Sequence, residues 1–285
     1  MKKIILCIML IGLFIACGEK RKENELTKIK SNKVKVVELL NSIETGDQNP
    51  VGYISADKYI QHNLGIADGL SGFGALLSNK PKEGFKVKVI RAFEDGDYVF
   101  TQSEYDFFGP KVGFDVFRFE NGLIVEHWDN LAAKMPVNPS GHTQTDGITK
   151  ITDLDKTTEN KKIVKDFVKT ILIDGEYNKL DQYFDGDNYI QHNSNISDGL
   201  SGLGKAMEEM SKHGVVMSYT KNHILLGEGN FVLSISEGTF AGNPTSYYDL
   251  FRIENGKIAE HWDVMETITP ENERKNKNGK FNFNK

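Results

Sequence analysis

The sequence predicts an α+β protein of two tandem domains, each with N-terminal helices packed on a curved antiparallel sheet. Two observations support this fold class. The phrases Tyr-Ile-Gln-His-Asn and Glu-His-Trp-Asp occur twice in the same order, beginning at Tyr59 and Glu126 and again at Tyr189 and Glu260. In both copies, apolar residues at helical spacing come first, and segments typical of strands follow. The chain is therefore a duplication of one whole domain and not a solenoid, whose repeats are shorter and more numerous.

Both copies contain the same succession of elements. An amphipathic helix and a short second helix precede a strand in Tyr-Ile-Gln-His-Asn, a helix after Asp-Gly-Leu-Ser-Gly and four antiparallel strands. The first helices are expected at about Lys33–Glu44 and Val51–Ser55 in one copy and at Glu159–Ile173 and Asn178–Phe184 in the other. The four strands are expected at Lys86–Phe93, Tyr98–Phe107, Phe114–Phe119 and Leu123–Asn130, and at His223–Leu226, Phe231–Phe240, Tyr247–Ile253 and Lys257–Val264.

The N-terminus predicts export. Two lysines precede the apolar stretch Ile4–Ala16, which is shorter than the roughly 20 residues that span a bilayer, as in a secretory signal peptide. The segment Phe14–Cys17 resembles the lipobox of bacterial lipoproteins, and the resemblance implies that Cys17 is lipidated and becomes the mature N-terminus. Because the other cysteine, Cys7, lies in the removed part, the mature chain would have no disulfide. We expect a lipid-anchored protein of the bacterial cell envelope, on the inner or the outer membrane.

Composition and charge set the remaining boundaries. A net charge of −5 and a pI of about 5.9, without a basic stripe in the body of the chain, argue against nucleic-acid binding. The polar segment between the copies predicts a linker, and the Asn- and Lys-rich C-terminus predicts a disordered tail. The expected parts are a signal peptide at 1–16, a tether at 17–32, domains at 33–135 and 159–270, a linker at 136–158 and a tail at 271–285.

The last two strands of each copy form a hairpin around Glu-Asn-Gly, for which two registers can be drawn. A two-residue turn sets Asp115 opposite Trp128, and a three-residue turn sets Asp115 opposite His127. The three-residue turn is preferred because it separates polar from apolar side chains more cleanly. It places Asp115, His127 and Asp129 on one face with Phe117, Phe119, Leu123 and Val125, and Arg118, Glu126 and Trp128 on the other.

Three polar groups on an apolar face form the candidate site of each copy: Asp115, His127 and Asp129 in the first, and Asp249, His261 and Asp263 in the second. Buried carboxylates need partners. The groups form either a structural network or a pocket in which burial raises a carboxylate pKa and allows general base catalysis. His62 and Asn63, with His192 and Asn193 in the second copy, are the candidate ligand-binding residues.

These motifs resemble the SnoaL-like branch of the NTF2-like superfamily, cone-shaped α+β domains with an interior pocket. The resemblance covers both copies and implies acid–base roles for the His-x-Asp pairs, His127 with Asp129 and His261 with Asp263. Polyketide cyclases of this branch have a histidine where this chain has Asp115 and Asp249. An aspartate there resembles a separate group described as aldol-condensation-like.

Three functions remain open at this point. The first is a cofactor-free enzyme in which Asp129 or Asp263 removes a proton next to a carbonyl group. The second is a membrane-tethered binding protein for a small, partly apolar molecule. The third is an interaction scaffold in which the two copies form an internal pseudo-dimer or the chain forms a homodimer. A metal site of His62, His127 and Asp129 would fit a known iron pattern, but the spacing favours hydrogen bonding, and no metal is expected.

Overall fold

The computed structural model describes residues 30–79 and 81–283. The expected signal peptide, the lipobox at Cys17 and most of the tether lie outside these residues. Within the described part of the chain, no helix is both long and apolar enough to cross a membrane.

Each copy contains helices followed by a five-stranded sheet. The first comprises α1 (Asn32–Thr45), a 3₁₀ turn (Asn49–Tyr53), β1 (Ile60–Gln61), α2 (Gly69–Ser78), β2 (Lys86–Asp95), β3 (Tyr98–Asp106), β4 (Pro110–Glu120) and β5 (Leu123–Ala133). The second comprises α3 (Thr157–Phe167), which continues as a π-helix (Val168–Ile173), a 3₁₀ turn (Tyr177–Gln182), β6 (Ile190–Gln191), α4 (Gly199–Lys212), β7 (Met217–Glu228), β8 (Phe231–Phe240), β9 (Asn243–Glu254) and β10 (Lys257–Thr267). Further 3₁₀ turns lie at Leu154–Lys156 and Glu271–Glu273.

The strand order is β1-β5-β4-β3-β2 in the first sheet and β6-β10-β9-β8-β7 in the second. The four long strands of each sheet are antiparallel, and the two-residue strand at the edge is parallel to its neighbour. This arrangement confirms the α+β fold class and the duplication. We refer to the two copies as the first and the second repeat.

The helices cover one face of each sheet, called here the inner face. In the first repeat, Leu39 and Leu40 of α1 pack in one cluster with Phe117 and Phe119 of β4. In the second, Phe167 and Ile171 pack with Phe251 of β9. Each fully buried side chain of this size contributes roughly 1.5–3 kcal/mol. The apolar spacing of α1 and α3 is therefore explained by this contact.

The hairpin β4–β5 differs from both expected registers. Its turn has two residues, with Glu120 opposite Leu123 and with positive φ at Asn121 (50°) and Gly122 (77°). A bulge at Val125 then shifts the register, so that Asp115 lies opposite Asp129 and Phe117 opposite His127. The expected three-residue turn and its pairing are wrong, as is the expected placement of Leu123, which is 40% exposed while Ile124 enters the core. A two-residue turn followed by one extra residue restores the predicted faces beyond the bulge.

The opposite, outer faces of the two sheets share a core. One apolar cluster contains Phe114 and Trp128 of the first sheet together with Leu250 and Trp262 of the second. Asn130 on β5 adds polar contacts, because its Nδ2 donates hydrogen bonds to the carbonyl oxygens of Ser246 (2.9 Å) and Val264 (2.9 Å). The two repeats therefore meet through the faces that do not carry the helices.

The linker contacts both repeats, and the tail packs on the first repeat. The linker residue Asn138 donates hydrogen bonds to the carbonyl oxygens of Gln191 and Ile196, and the tail residue Asn276 donates to those of Asn63 and Ile66. Phe283 stacks on Trp128 at 4.5 Å, and Lys280 is 4% exposed. The expected disorder at 271–285 is therefore wrong for residues 271–283. Composition could not show it, because the partners of the tail lie in the first repeat.

Candidate functional site

The candidate triads lie on the inner face of each sheet. In the first repeat, Asp115 is supplied by β4, and His127 and Asp129 are supplied by β5. In the second, Asp249 lies on β9, and His261 and Asp263 lie on β10. The prediction that the three groups of each copy share one face is confirmed by the geometry.

In the first repeat, every member of the triad is buried and has a fixed partner. His127 Nε2 lies 3.2 Å from Asp115 Oδ1, and His127 Nδ1 lies 3.1 Å from Gln61 Oε1. The Tyr105 hydroxyl donates to Asp115 Oδ2 at 2.6 Å. Asn63 Nδ2 donates to Asp129 Oδ2 at 2.8 Å.

The second repeat repeats this arrangement with small changes. His261 Nε2 lies 3.1 Å from Asp249 Oδ1, and His261 Nδ1 lies 3.1 Å from Gln191 Oε1. Asn193 Nδ2 donates to Asp263 Oδ2 at 2.8 Å, and Tyr219 donates to Asp249 Oδ1 at 3.2 Å. Asn63 and Asn193 thus lie at the site, as predicted.

His62 and His192 lie on the other side of the sheet, so the expectation that they line the pocket is wrong. Ile60 pairs with Glu126 and Gln61 pairs with His127 in parallel register. Because paired residues share a face, Gln61 faces the triad and His62 faces away from it. The same holds for the second repeat. The alternation in Tyr-Ile-Gln-His-Asn allowed either choice, and only the pairing with β5 and β10 decides it.

The two displaced histidines instead form buried hydrogen bonds with Glu126 and Glu260. His62 Nε2 lies 2.9 Å from Glu126 Oε1, whose other oxygen accepts a hydrogen bond from Arg118 Nε at 2.6 Å. The His62 ring stacks on Trp128 at 4.5 Å. In the second repeat, burial alone would raise the pKa of Glu260. Hydrogen bonds from His192 and Arg252 outweigh this effect, so the pKa of Glu260 is lowered. The Glu and Trp of Glu-His-Trp-Asp thus serve the outer face, and the His and Asp serve the inner face.

Electrostatics suit the triads to proton transfer. Burial raises the pKa of Asp115 and of Asp263, and in each case the charge of the second aspartate adds to the rise. Both ring nitrogens of His261 face oxygen atoms, Gln191 Oε1 and Asp249 Oδ1. In the second repeat, a carboxyl group that is hard to ionise therefore lies beside an imidazole that hydrogen bonds hold in place.

The second repeat has a cavity above its triad, with a volume of about 890 Å³. Asp249, His261 and Asp263 all border it. Most of the remaining wall is apolar and comes from the helices and the sheet, including Phe167, Ile171, Leu203, Met207, Met210 and Phe240. A small molecule with an apolar body and one polar group fits such a cavity.

Sequence reasoning missed the tyrosines that bind the triads. Tyr105 lies in the expected strand Tyr98–Phe107, and Tyr219 lies outside the expected strand His223–Leu226, which the structure extends to Met217–Glu228. Neither tyrosine was given a role, because neither belongs to a repeated phrase. Burial raises the pKa of both hydroxyl groups far above the ordinary value, so both remain protonated donors. Gly113 is a weak signal for Tyr105, because a Cβ there would lie 2.4 Å from the tyrosine ring.

A scan against protein-family models and a search of curated proteins give no match. Solved structures do match. An LEH-like epoxide hydrolase of M. tuberculosis is 22% identical over 35% of this chain and 82% of its own, with a TM-score of 0.31. IdmH of Streptomyces antibioticus, a proposed polyketide cyclase, is 16% identical over 36% of this chain and 92% of its own (TM-score 0.32). An NTF2-like protein of unknown function from Cytophaga hutchinsonii is 14% identical over 36% of this chain and 90% of its own (TM-score 0.32).

Each repeat has helices on the inner face of a five-stranded sheet, with a short parallel strand at one edge. This arrangement places the triads between the helices and the sheet.

The oxygen and nitrogen atoms of Asp115, His127 and Asp129 lie within 4.8 Å of one another, close enough for a metal ion. Lys280 Nζ, however, lies 4.0 Å from Asp129 Oδ1. A buried ammonium group at this distance already compensates the carboxylate, so the arrangement favours a hydrogen-bonded network over a cation site.

Proposed function

We propose that the second repeat binds a small, largely apolar carbonyl compound and moves a proton on it without a cofactor. The observation that carries this proposal is the position of Asp249, His261 and Asp263 at the floor of a mostly apolar cavity of about 890 Å³. An apolar wall would bind the body of the substrate, and the polar floor would select its carbonyl group.

The proposed reaction needs only proton transfers. Asp263, in its ionised form, removes a proton from the carbon next to the carbonyl group, and the electron pair moves to the carbonyl oxygen as an enolate. The N–H at His261 Nδ1 leaves Gln191 Oε1 and donates a hydrogen bond to that oxygen, and Asp249 orients the imidazole through Nε2. The protonated Asp263 then returns its proton to a carbon of the enolate, either the same carbon or another one, as in an isomerisation. A raised pKa suits Asp263 to this role because a base works best when its pKa lies near the working pH.

The test is turnover by Asp263→Asn, scanned over small enolisable ketones by exchange of solvent deuterium into the substrate. We expect a loss of about 10²–10⁴-fold in kcat, the usual effect of removing a general base. Glu208→Gln, on the exposed part of α4, is the matched control and should keep full activity. Unchanged exchange in Asp263→Asn would contradict the proposal. A loss confined to Asp129→Asn would assign the reaction to the first repeat.

A second candidate function is ligand carriage without turnover, which the depth and apolar lining of the cavity favour. In that case Asp263 and His261 only orient the ligand. Mass spectrometry of a ligand retained through purification separates the two functions. A retained molecule that leaves the wild-type protein unaltered supports a carrier, and a mixture of two isomers supports the enzyme.

We also propose that the protein works at a bacterial membrane, through lipidation of Cys17. The basis is the charged start, the apolar stretch and the lipobox-like Phe14–Cys17 of the sequence. Cys17→Ser should remove the protein from the membrane fraction and leave the mass of the chain without a lipid. Membrane association that is unchanged in this variant would contradict the proposal.

A further inference from the structure

A second cluster of histidine and carboxylate side chains lies where the linker crosses the second repeat. His142 and Asp146 come from the linker, and His192 comes from the residue after β6. One donor atom of each lies within 4.8 Å of the others. Asp146 reaches both rings, since its Oδ1 is 2.7 Å from His192 Nδ1 and its Oδ2 is 3.8 Å from His142 Nδ1.

The far nitrogen of each ring is bound by a different carboxylate. His192 Nε2 lies 2.9 Å from Glu260 Oε1, and His142 Nε2 lies 3.1 Å from Asp198 Oδ2. A carboxylate on one imidazole nitrogen fixes the ring and leaves the other nitrogen free to bind a metal, which is the usual arrangement around metal-bound histidines. Here it occurs on both rings, and in both it turns Nδ1 toward Asp146.

We propose that His142, Asp146 and His192 bind a divalent transition-metal ion of the zinc class. Two imidazoles and one carboxylate suit such an ion, and hard ions such as Mg²⁺ prefer oxygen ligands alone. The carbonyl oxygen of Thr143 lies 2.9 Å from His192 Nδ1 and is a further ligand within reach. The ion can enter from solvent, because the His142 and Asp146 side chains are 30% and 42% exposed.

The charge around the cluster allows a cation. Three carboxylates, those of Asp146, Asp198 and Glu260, surround the rings. Two guanidinium groups also reach the cluster: Arg252 bonds Glu260, and Arg91 donates to the carbonyl oxygen of Asp146. In the metal-free protein His192 Nδ1 faces two oxygen atoms, Asp146 Oδ1 and the carbonyl oxygen of Thr143. Because a histidine binds a metal ion through a deprotonated ring nitrogen, the affinity should fall as pH decreases.

The corresponding place in the first repeat lacks these ligands. There, the tail supplies the carbonyl oxygen of Gly279, which lies 2.6 Å from His62 Nδ1, and the residue that follows is Lys280. Among the described residues of the tail, none is a histidine or an aspartate. Two of the three proposed metal ligands therefore come from the linker, and the bound ion would hold the linker against the second repeat.

The experiment is calorimetric titration of the untagged full chain with zinc chloride, with Cys7 and Cys17 replaced by serine so that no thiol can bind the ion. Cobalt(II) absorption in the visible range gives a second readout of the ligand field. We expect one tightly bound ion per chain. His142→Ala and Asp146→Asn should each weaken binding by at least about a hundredfold, and Asp198→Asn, which removes only a positioning group, by about 10–100-fold.

The matched control is His213→Ala, an exposed histidine with Glu209 at 3.9 Å, and its affinity should equal that of the parent. Circular dichroism checks that each variant is folded; the exposure of His142 and Asp146 makes this expected. Failure of the parent to bind zinc, or equal binding by His142→Ala, would overturn the proposal. Loss of binding only in Asp115→Asn would also overturn it and would assign the ion to the triad of the first repeat.

Discussion

The two inner faces carry the same triad, and the triad of the second repeat borders a cavity of about 890 Å³. In the first repeat, Phe73, Phe85 and Tyr105 join the core above the sheet. In the second, the residue that precedes the corresponding strand is Val216, which is 64% exposed, and Leu203 of α4 borders the cavity. The same polar motif thus lies beside an aromatic core cluster in one repeat and at the floor of a cavity in the other. Residues outside the motif decide which.

An exchange of tyrosine and glycine between neighbouring strands accompanies this difference. In the first repeat, Tyr105 of β3 lies against Gly113 of β4, where a Cβ would be 2.4 Å from its ring. In the second, β8 has a glycine, Gly238, and β9 has a tyrosine, Tyr247, which stacks on Tyr219 at 4.1 Å. The tyrosine at this pair of positions therefore comes from β3 in the first repeat and from β9 in the second.

The largest effect should follow from truncating Phe85, an aromatic side chain buried in the core cluster of the first repeat. Phe85 is 1% exposed and packs edge-on against Phe107 at 4.7 Å. Phe85→Ala should lower the free energy of unfolding by about 3–5 kcal/mol. Val216→Ala, at the corresponding place in the second repeat, should change it by less than about 0.5 kcal/mol. Urea unfolding measures both, and similar losses in the two variants would show that the repeats are closed alike.

The next effect concerns Lys280, which reaches the first triad from the tail. Its Nζ donates to the carbonyl oxygen of Asp129 at 2.7 Å and lies 3.2 Å from Glu266 Oε2. Lys280→Met should destabilise the protein by about 3 kcal/mol, because it leaves buried carboxylates without their cation. Burial already raises the pKa of Glu266, and the loss of Lys280 should raise it further. Lys205→Met, on α4 at the rim of the second pocket, is the control. Equal unfolding midpoints for the two variants would contradict this role.

A smaller effect is expected from removing the tyrosine hydroxyl groups that bind the two triads. Tyr105→Phe removes a 2.6 Å hydrogen bond to a buried carboxylate and should cost about 2 kcal/mol. Tyr219→Phe removes longer contacts, of 3.2 and 3.3 Å, and should cost less. Thermal unfolding of both variants tests the order, and a larger loss in Tyr219→Phe would reverse the comparison.

Much of the fold followed from the sequence, because duplication and alternation are local signals. The inward placement of Asp115, His127 and Asp129 followed from alternation alone and survived an incorrect register, since a two-residue turn plus a bulge preserves the faces. The position of His62 depended on which residue of a two-residue strand pairs with β5, and a single strand carries no such information. The cavity, the ordered tail and the linker cluster arise from contacts between distant segments, which composition does not reveal.

The smallest expected effect is on the pH dependence of the free energy of unfolding, which reports the electrostatic environment of the second triad. Burial raises the pKa of Asp263 above its ordinary value of 3.8. As pH rises from about this value through the raised pKa, the unfolded chain loses its proton before the folded chain does. The free energy of unfolding of the wild type therefore falls over this window.

Asp263→Asn removes the ionisable group and keeps an oxygen that accepts the Asn193 hydrogen bond. Its free energy of unfolding, relative to the wild type, should rise between pH 4 and pH 7 by on the order of 1 kcal/mol. Asp187→Asn is the matched control of opposite sign, because a hydrogen bond from the Ser201 backbone lowers the pKa of Asp187. That variant should lose stability relative to the wild type as pH rises through the lowered pKa. Urea unfolding between pH 4 and pH 7 measures the slope for Asp263→Asn, and the same measurement below the ordinary aspartate pKa of 3.8 measures the slope for Asp187→Asn. If the difference in free energy of unfolding between Asp263→Asn and the wild type does not change with pH, the wild-type Asp263 carboxyl group is already solvated through the open pocket. Asp263 would then be no better base than an exposed aspartate.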